Sequence, residues 1–514
     1  MTSGNGPIPR VATAINGFDQ VALGGLPAGR CTLVTGTAGS GKTLFATEFL
    51  ARGIQAHDEP GVFVTFEEPP VDVRRNALSL GLTIADWERA GKWTFIDASA
   101  TSTEEGAIIG AYDFHALAAR IGHAVHAIGA KRVAMDSLGT VFLRFPGQAT
   151  VRQELLRVAD SLESLGVTSV ITTERETEYG GISRFGVEEF ALNNVIVLRN
   201  NLIQERRRRT LEIVKLRGGQ HRTGEWLFTI DPRDGIVVVP LAFLAPHEGA
   251  VVRDRVSTGI PDLDEMCGGG VYRDAIILLT GPTGVGKTLA GLRFVAAGVE
   301  AGERCLLYTF DETRQQLDRN ASGWGLDLSA MEAAGLLQVV SEYPETSSLE
   351  DHFILVRRVV EEFRPGRLVI DTLSALERIS TPRTLLDFFV ALAAVLRPRA
   401  ITALLTSLPA DRTSLNAGPG IAARIDSLTD VSVLLRYVEM AGRARRAVAV
   451  LQTRGSAHDH RIREVTIDGT GMHIGDPLHG VSSVLAGYGG PMITAGPYGA
   501  AGNLAPSPRG DPDG

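Results

Sequence analysis

Short apolar runs alternate with amphipathic segments along most of the chain. Strand-like runs lie at residues 32–35 and 167–173, and similar runs recur at 276–280 and 401–406. Segments with helical periodicity separate them. This order predicts α/β units, each with a mainly parallel sheet flanked by helices.

Later apolar runs follow one another more closely. Residues 195–198, 210–215 and 226–230 leave no room for helices between them, which predicts an antiparallel extension of the sheet. The longest apolar segment, 385–396, contains Asp387 and is shorter than the roughly 18 residues that span a bilayer. We therefore expect a buried helix there and no membrane segment.

The pattern occurs twice. G-T-A-G-S-G-K-T at 36–43 matches G-P-T-G-V-G-K-T at 281–288, and V-F-V-T-F-E-E at 62–68 matches L-L-Y-T-F-D-E at 306–312. Further pairs are V-A-M-D-S at 133–137 with L-V-I-D-T at 368–372, and K-L-R-G-G-Q-H at 215–221 with Q-T-R-G-S-A-H at 452–458. The nearly constant spacing indicates a duplicated domain.

The duplication predicts one domain at 1–245 and a second at 246–480, joined through residues 240–256. Residues 481–514 contain eight glycines and five prolines but only three charged side chains, so we predict a disordered tail.

Composition narrows the functional classes. The 514 residues are 44% hydrophobic and carry a net charge of -8, which argues against a dedicated nucleic-acid binder. Three widely spaced cysteines, Cys31, Cys267 and Cys305, offer neither a disulfide framework nor a zinc pattern. The first residues lack the pattern of a signal peptide, and we expect a cytoplasmic protein.

Each G-x-x-x-x-G-K-T motif follows a strand and precedes a helix, the arrangement that binds nucleotide phosphates. Loop and helix N–H groups face the phosphates, the lysine reaches the β and γ oxygens, and the threonine binds Mg²⁺. The predicted ATP-binding loops comprise Gly36, Thr37, Ala38, Gly39, Ser40, Gly41, Lys42 and Thr43, and Gly281, Pro282, Thr283, Gly284, Val285, Gly286, Lys287 and Thr288.

Acidic residues follow neighbouring strands in both copies. Asp136 and Asp371 end apolar strands, as a carboxylate holding the Mg²⁺ water shell does. The pairs Glu67 with Glu68 and Asp311 with Glu312 are placed to orient a water or hydroxyl for attack on the γ-phosphate. We also expect Asp311 near the metal.

Basic residues recur late in each copy. We predict that they lie on a late strand and reach a neighbouring subunit's nucleotide as arginine fingers do; they are Lys215, Arg217, His221, Arg454 and His458. The run E-R-R-R-R at 205–209 lacks the interleaved aromatics that stack nucleic-acid bases, so we interpret it as a ring interface or pore lining.

Longer strings resemble the KaiC family, the two-domain ATPases and autokinases of the bacterial circadian clock. They are E-R-R-R-R-T-L-E-I-V-K-L-R-G at 205–218, Y-G-G-I-S-R-F-G-V-E-E-F at 179–190 and L-D-E-M-C-G-G-G at 263–270. The resemblance covers roughly residues 10–475 and implies two tandem RecA-like P-loop domains in a homohexamer of two stacked rings.

In such a hexamer, ATP and Mg²⁺ would lie at subunit interfaces. The first ring would be a slow ATPase and the second an autokinase. The resemblance adds ATP-binding residues in both copies, namely Ser79, Leu216, Gly219, Trp324, Arg446, Gln452, Thr453 and Ser456.

The family's phosphate acceptors lie in the string I-S-T-I-T-D, which is I-D-S-L-T-D at 425–430 here. Asp426 replaces the first acceptor, and Ser427 remains as the second. We predict phosphorylation of Ser427 beside a permanent, partial phosphate mimic, since aspartate carries one charge against about -1.5 to -2 for phosphoserine.

Other departures predict slow autophosphorylation. By the resemblance, Asp311 is the base of the second copy, and it is one methylene shorter than the family's glutamate. Gln452 replaces an interface lysine. The family's arginine on the helix after Ser380 is not evident, since Leu386 and Asp387 occupy that region.

The tail differs from the segment that binds the activator KaiA, so we expect no such partner. A KaiB-like partner is retained, because residues 113–131 keep the family's pattern. Two alternatives stay open: an ATPase scaffold without kinase activity, and a nucleic-acid motor of the RecA or DnaB type.

Overall fold

The computed structural model describes residues 8–99, 114–142, 147–184, 186–203, 206–239, 253–409, 421–440 and 442–479. The predicted tail at 481–514, most of the joining segment, Asp113 and Glu205 lie outside the described residues.

Strands overlap all seven apolar runs that the sequence analysis named, and further strands lie outside those runs. In the first half they are β1 (Arg10–Val11), β2 (Leu26–Pro27), β3 (Cys31–Gly36), β4 (Gly61–Thr65), β5 (Trp93–Asp97), β6 (Arg132–Asp136), β7 (Thr168–Glu174), β8 (Asn194–Ile203), β9 (Arg206–Leu216), β10 (Glu225–Asp231) and β11 (Gly235–Val239). In the second half they are β12 (Arg255–Val256), β13 (Val271–Tyr272), β14 (Ile276–Thr280), β15 (Cys305–Thr309), β16 (Leu337–Ser341), β17 (Arg367–Asp371), β18 (Thr402–Ser407), β19 (Val431–Met440), β20 (Arg443–Thr453), β21 (Arg463–Asp468) and β22 (Gly471–Pro477).

The helices alternate with these strands. They are α1 (Phe18–Val21), α2 (Lys42–His57), α3 (Pro70–Leu78), α4 (Ile84–Arg89), α5 (Phe114–Ile128), α6 (Leu138–Phe142), α7 (Gln148–Ser164), α8 (Glu188–Ala191), α9 (Pro261–Met266), α10 (Lys287–Glu300), α11 (Arg314–Ser322), α12 (Leu328–Ala333), α13 (Leu349–Phe363), α14 (Pro382–Leu396) and α15 (Ile421–Ile425). The predicted buried helix at 385–396 is therefore the main part of α14. No helix in the described part of the chain is both long and apolar enough to cross a bilayer.

Contacts divide the chain into two compact units. The first contains the described residues before 240, together with Ser341–Pro365 and Ala375–Ala400. The second contains residues 253–340, Gly366–Ser374 and the described residues from Ile401 onward. Helices α13 and α14, which follow the second P-loop in sequence, thus belong to the first unit, where α13 packs against β10.

The sheet of the first unit has the order β11-β10-β9-β8-β3-β7-β6-β4-β5. Strand β3 pairs in parallel with β7 and β8, and β4 pairs in parallel with β5 and β6. Strands β9, β10 and β11 add the predicted antiparallel extension. Because parallel strands have their carboxyl ends at one edge, the P-loop and the residues that follow β4, β6 and β7 meet there.

The second sheet repeats this plan in the order β16-β15-β17-β18-β14-β19-β20-β21-β22. Strand β14 lies in parallel between β18 and β19, and β20, β21 and β22 form the antiparallel extension. A core on one side of this sheet contains buried residues of the P-loop helix α10, including Leu289 and Phe294.

A buried arginine links three elements in each repeat. Arg132, at the start of β6, donates to the carbonyl oxygens of Phe49 at 2.9 Å and Ala12 at 2.8 Å, and to Glu59 at 2.7 Å. Arg367, at the start of β17, makes the same set of bonds to Phe294, Ser257 and Glu303. The arginines connect the helix that follows each glycine loop with the strand that ends at Asp136 or Asp371.

Candidate functional site

The first phosphate loop connects β3 with α2. Gly39 and Gly41 have φ angles of 73° and 98°, which side-chain-bearing residues rarely adopt. The loop therefore curls back on itself, and the Lys42 ammonium group donates to the carbonyl of Thr37 at 2.9 Å. Burial lowers the pKa of Lys42, opposed by the charges of Glu174, Asp136 and Glu67.

The helices that follow the two loops begin without a side-chain cap. Gly41 precedes α2 and Gly286 precedes α10, and neither provides a capping hydrogen bond. Helices α11, α13 and α14, in contrast, start with complete capping boxes. The first N–H groups of α2 and α10 remain available to an anion, as phosphate binding requires.

The second phosphate loop opens into a cleft of about 470 Å³. Lys287 donates to the carbonyls of Gly281 at 2.7 Å and Pro282 at 2.9 Å. The cleft is lined by Thr283, Gly284, Gly286, Lys287, Thr288, Leu289, Asp311, Glu312, Trp324, Asp371, Thr372, Leu408, Arg446 and Ile467. The structure thus gathers around one cavity nine residues that the sequence assigned to ATP or metal, together with Glu312.

Each P-loop threonine is bonded to the aspartate that ends the neighbouring strand. Thr288 Oγ1 donates to Asp371 Oδ2 at 2.6 Å. Thr43 forms the corresponding bond with Asp136, whose pKa is raised by burial against the lowering effect of that bond. This pairing provides a hydroxyl and a carboxylate at one place, the oxygen ligands that Mg²⁺ prefers.

A threonine on the adjacent strand fixes each of these aspartates. Thr172 donates to Asp136, and Thr406 donates to Asp371. Sequence reasoning did not single out either threonine. Aligning the S-V-I-T-T run at 169–173 with the A-L-L-T-S run at 403–407 would have paired them.

The proposed general bases lie just past the ends of β4 and β15. Burial is the main effect that raises the pKa of Glu67, Glu68 and Glu312. Asn76 donates to Glu68 at 3.5 Å, and Asn320 donates to Glu312 at 3.3 Å, so each helix after the base supplies an orienting amide. Asp311 is exposed at the edge of the cleft.

The sequence predicted that the late basic residues lie on a strand, but only Lys215 does. Lys215 is within β9, but Arg217 and His221 follow its end, and Arg454 and His458 follow the end of β20. The strands end there because Gly218 and Gly455 adopt positive φ angles of 87° and 71°.

A bulge precedes these turns in both repeats. The register shifts between Val195 and Ile196 opposite β9, and between Ser432 and Val433 opposite β20. One extra residue in each second strand therefore precedes Lys215 and Gln452 and changes the face to which they point. Lys215 donates to the carbonyls of Glu189 at 3.0 Å and Leu192 at 2.6 Å.

Other predicted ATP-binding residues lie apart from the cleft of the second unit. Among the described residues, its lining does not include Gln452, Thr453, Arg454, Ser456 or His458. In the first unit, Ser79 is an exposed residue at the end of α3, and Leu216 and Gly219 lie at the end of β9 and in the following turn.

Ser427 lies in a short 3₁₀ turn, Asp426–Leu428, and is exposed. Arg454 donates to its carbonyl oxygen. Asp426 Oδ1 is buried without a hydrogen-bond partner among the described residues. Ser427 is also outside the lining of the cleft.

The described arginines of the basic run all have partners within the first unit. Arg206 donates to the carbonyl of Ser347 at 2.6 Å, and Arg208 pairs with Glu350 at 2.8 Å. Arg207 and Arg209 donate to the carbonyls of Asn200 and Gly39 at 2.9 and 3.4 Å. The pore or ring-interface interpretation of this run stays a prediction.

Comparison with known proteins assigns the family. A family model described as "ATPase: KaiC" matches residues 11–242 and 256–479. The chain is 48% identical over 489 residues to the circadian clock protein KaiC3 of Synechocystis sp., with 95% of each chain covered. It is 43% and 44% identical over 480 residues to the circadian clock oscillator proteins KaiC of Thermostichus vulcanus and Synechococcus elongatus, with 93% of this chain and 92% of each relative covered.

The chain belongs to the KaiC family. Both matched segments coincide with an α/β repeat that carries a phosphate loop, so the predicted pair of RecA-like domains is confirmed as the fold class. ATP binding follows from membership of this ATPase family.

The residues of this KaiC-family chain fit ATP with Mg²⁺. The uncapped helix N-termini and the lysines suit phosphates, and the threonine–aspartate pairs suit a hydrated cation. Within the described residues, no group of three or more histidine, cysteine, aspartate or glutamate side chains could hold a metal ion alone. The phosphates and water would have to supply the remaining Mg²⁺ ligands.

Proposed function

We propose that this KaiC-family protein is an ATP-hydrolysing serine/threonine autokinase that assembles as a two-tiered homohexamer. The first repeat hydrolyses ATP slowly, and the second transfers phosphate to Ser427 of an adjacent subunit. The role is that of a cytoplasmic clock, timer or stress signal, in keeping with relatives whose names describe circadian clock proteins. A KaiB-like protein is the proposed partner.

The observation that carries the proposal is the cleft of the second unit. Lys287, Thr288, Asp371, Asp311 and Glu312 line it together, which supports assigning phosphate binding, metal binding and proton acceptance to one cavity. A phosphoryl acceptor must approach the γ-phosphate in line with the leaving oxygen. Ser427 is exposed and outside this lining, so we assign the transfer to a neighbouring subunit's cleft.

In the transfer, the Ser427 hydroxyl oxygen bonds to the γ-phosphorus while the bond to the bridging oxygen of ADP breaks. The proton of the hydroxyl passes to a carboxylate that follows β15. Asp311 and the adjacent Glu312 are the candidates for this role. Burial raises the pKa of Glu312, and a more basic carboxylate accepts a proton more readily. Lys287 and the uncapped start of α10 stabilise negative charge on the phosphates. Thr288 and Asp371 would hold Mg²⁺, which would supply positive charge to offset the negative charge of the phosphates.

The same groups in the first repeat serve hydrolysis. Glu67 lies near Lys42 and Asp136, whose charges act on its pKa, and it accepts a hydrogen bond from Thr140. A carboxylate so placed can orient water toward the γ-phosphate bound over Lys42. Departures at Asp311 and Gln452 support slow transfer in the second repeat, since a displacement of about 1 Å can cost on the order of 10²-fold in rate.

The test is to incubate the protein with Mg²⁺ and γ-labelled ATP and to map the label by mass spectrometry. We expect label on Ser427 in the unchanged chain and none in Ser427→Ala. Phosphate release without any label would instead identify an ATPase scaffold. Stimulation of ATP turnover by nucleic acid would favour a motor.

A mixing experiment tests transfer between subunits. The Lys287→Ala chain keeps the acceptor but lacks the phosphate-binding lysine, whereas the Ser427→Ala chain keeps the cleft but lacks the acceptor. We expect label on the Lys287→Ala chain only after the two are co-assembled. Label in the unchanged chain but none in the mixture would show transfer within one chain.

A further inference from the structure

Glu178 contacts the first phosphate loop directly, although neither the motif nor the proposed chemistry includes it. It lies in the segment between β7 and α8. Its Oε1 accepts a hydrogen bond from Thr37 Oγ1 at 2.5 Å, and its Oε2 accepts one from the backbone N–H of Asn200 at 3.0 Å. The carboxylate therefore joins the second residue of the loop to strand β8.

Asn200 extends this connection to the middle of the loop. Its amide nitrogen donates to the carbonyl of Gly39 at 3.4 Å, and Arg209 Nε donates to the same oxygen at 3.4 Å. Asn200 is only 7% exposed, so its amide is held by the surrounding strands. Thr37 is thus held by Glu178, and Gly39 is held by side chains of β8 and β9.

The second phosphate loop is built differently at both positions. Pro282 replaces Thr37 and has no hydroxyl to donate. By register with β14, Tyr437 takes the place of Asn200, and its hydroxyl lies 3.2 Å from where a side chain at Gly284 would begin. The Thr37–Glu178–Asn200 arrangement, which we call the loop clamp, thus belongs to the first repeat.

We propose that Glu178 is a positioning residue that holds the first phosphate loop, through Thr37, in the conformation that binds a nucleoside triphosphate. This inference deepens the proposed function and rests on its assignment of the first repeat as a nucleotide site. A loop fixed before binding loses less conformational freedom when the phosphates arrive, so the clamp raises affinity. Hydrogen bonds to a charged group are the stronger kind, which suits a carboxylate to this role.

The negative charge of Glu178 lowers the affinity for phosphates, so its effect must be measured separately from that of the hydrogen bonds in the loop clamp. The carboxylate is near enough to Lys42 to raise its pKa, so it also repels the bound phosphates. Glu176 offers a matched control, because it lies in the same segment and is exposed, with Arg184 at 3.6 Å as its ion-pair partner. Replacing it with glutamine makes the same charge change without a contact to Thr37.

The experiment measures the dissociation constant of a non-hydrolysable ATP analogue in the full chain carrying Lys287→Ala, which disables the second loop. In that background, Thr37→Val is expected to weaken binding roughly tenfold, in line with loss of a hydrogen bond to a charged group. Thr37→Ser keeps the hydroxyl and is expected to restore binding to within about twofold of the parent. Glu176→Gln is expected to stay within the same range.

Kinetics distinguish positioning from catalysis. Thr37→Val is expected to raise KM for ATP with little change in kcat, since the clamp acts on binding rather than on the reacting atoms. In Thr37→Val/Glu178→Gln, the two effects on affinity are expected to be less than additive, because both changes break one bond. Fully additive effects, or a Thr37→Val chain that binds as tightly as its parent, would overturn the clamp.

Failure of the loop clamp and failure of the proposed ATPase function give different results. Binding of the analogue with no phosphate release from ATP would remove the ATPase assignment of the first repeat and leave the test of the clamp intact. Phosphate release that continues while Thr37→Val binds normally would overturn the clamp alone. Thermal unfolding of each variant checks that the first unit remains folded.

Discussion

The hydroxyl of Thr288 and the carboxylate of Asp371 are joined by a hydrogen bond of 2.6 Å, although 83 residues separate them in sequence. Thr406 fixes the other carboxylate oxygen from the adjacent strand. Asp136 receives the same two kinds of bond from Thr43 and Thr172. In both repeats the acidic group is therefore oriented before a hydrated cation binds.

Replacing Asp371 with asparagine tests this arrangement. The amide keeps the size of the side chain but removes the charge that holds the water shell of the cation. Because changes to groups around a metal typically cost 10–100-fold in affinity, we expect the Mg²⁺ concentration for half-maximal labelling of Ser427 to rise by roughly that factor. Asp318→Asn, on the exposed side of α11 and paired with Arg314, is the control and should leave the midpoint unchanged.

The buried arginines predict a stability difference. Arg132 is 0% exposed and makes three bonds in three directions, so a methionine there removes this donor from Glu59 and from two carbonyls. Removing one member of a buried ion pair costs roughly 3–5 kcal/mol, and we expect Arg132→Met to destabilise the first unit by about that amount. Lysine should rescue only in part, since it lacks the planar fork of donors.

Thermal or denaturant unfolding measures this difference. Arg89→Met, which removes an exposed pair with Asp86, is the matched control and should change stability by about 0.5 kcal/mol or less. Equal effects of the two substitutions would show that Arg132 does not connect the strand to the P-loop helix.

The motifs predicted the outline of each site because they depend on short spacings. A glycine loop must follow a strand and precede a helix, so Lys42 and Lys287 could be placed from the sequence alone. The contacts of Glu178 with Thr37 and of Thr172 with Asp136 span 141 and 36 residues, and no local pattern marks them. Internal repetition could reveal Thr172 and Thr406 but not Glu178, whose partner Thr37 is a proline in the second copy.

The sequence pattern also did not predict where the strands end. Arg217 and Arg454 are predicted on a late strand, but β9 ends at Leu216 and β20 ends at Thr453. The positive φ angles of Gly218 and Gly455 turn the chain just past these positions. Conformation at a glycine depends on packing around it, so periodicity alone does not give the boundary.

The raised pKa of Glu67 predicts an acid limb in the hydrolysis rate. Burial and the charges of Glu174 and Asp136 raise this pKa above the ordinary value of 4.5, whereas the bond from Thr140 lowers it. A general base must be unprotonated, so activity falls as pH decreases through the raised pKa, at a higher pH than for a free glutamate. Thr140→Val removes the lowering bond and should move the midpoint further up.

The pH profile of kcat in the Lys287→Ala chain isolates the first repeat. Glu67→Gln should show low activity and no acid limb in its pH profile. An acid limb that persists in this variant would come from the titration of ATP and not of Glu67. A Thr140→Val profile that coincides with the parent, or lies at lower pH, would contradict the role of Glu67 as base.

Asp426 predicts how many phosphates the chain can carry. It occupies the first acceptor position and is half-buried at the start of the turn that presents Ser427. A carboxylate does not serve there as a stable acceptor, so only Ser427 is available. Asp426→Ser should add a second labelled position to the same peptide, resolved by mass spectrometry. Asp426→Asn keeps the shape, removes the charge and should leave a single labelled residue.

The same two variants test whether Asp426 mimics a phosphoserine. One negative charge on Asp426 partly reproduces the about -1.5 to -2 of a phosphoserine, so the unchanged chain should resemble a chain already phosphorylated at that position. The rate of Ser427 labelling in Asp426→Asn should then differ from that of the unchanged chain. The Asp426→Asn chain should also label Ser427 at the same rate as the Asp426→Ser chain, as long as the serine introduced at position 426 is still unphosphorylated. Identical rates in all three chains would show that the Asp426 carboxylate does not influence the neighbouring site.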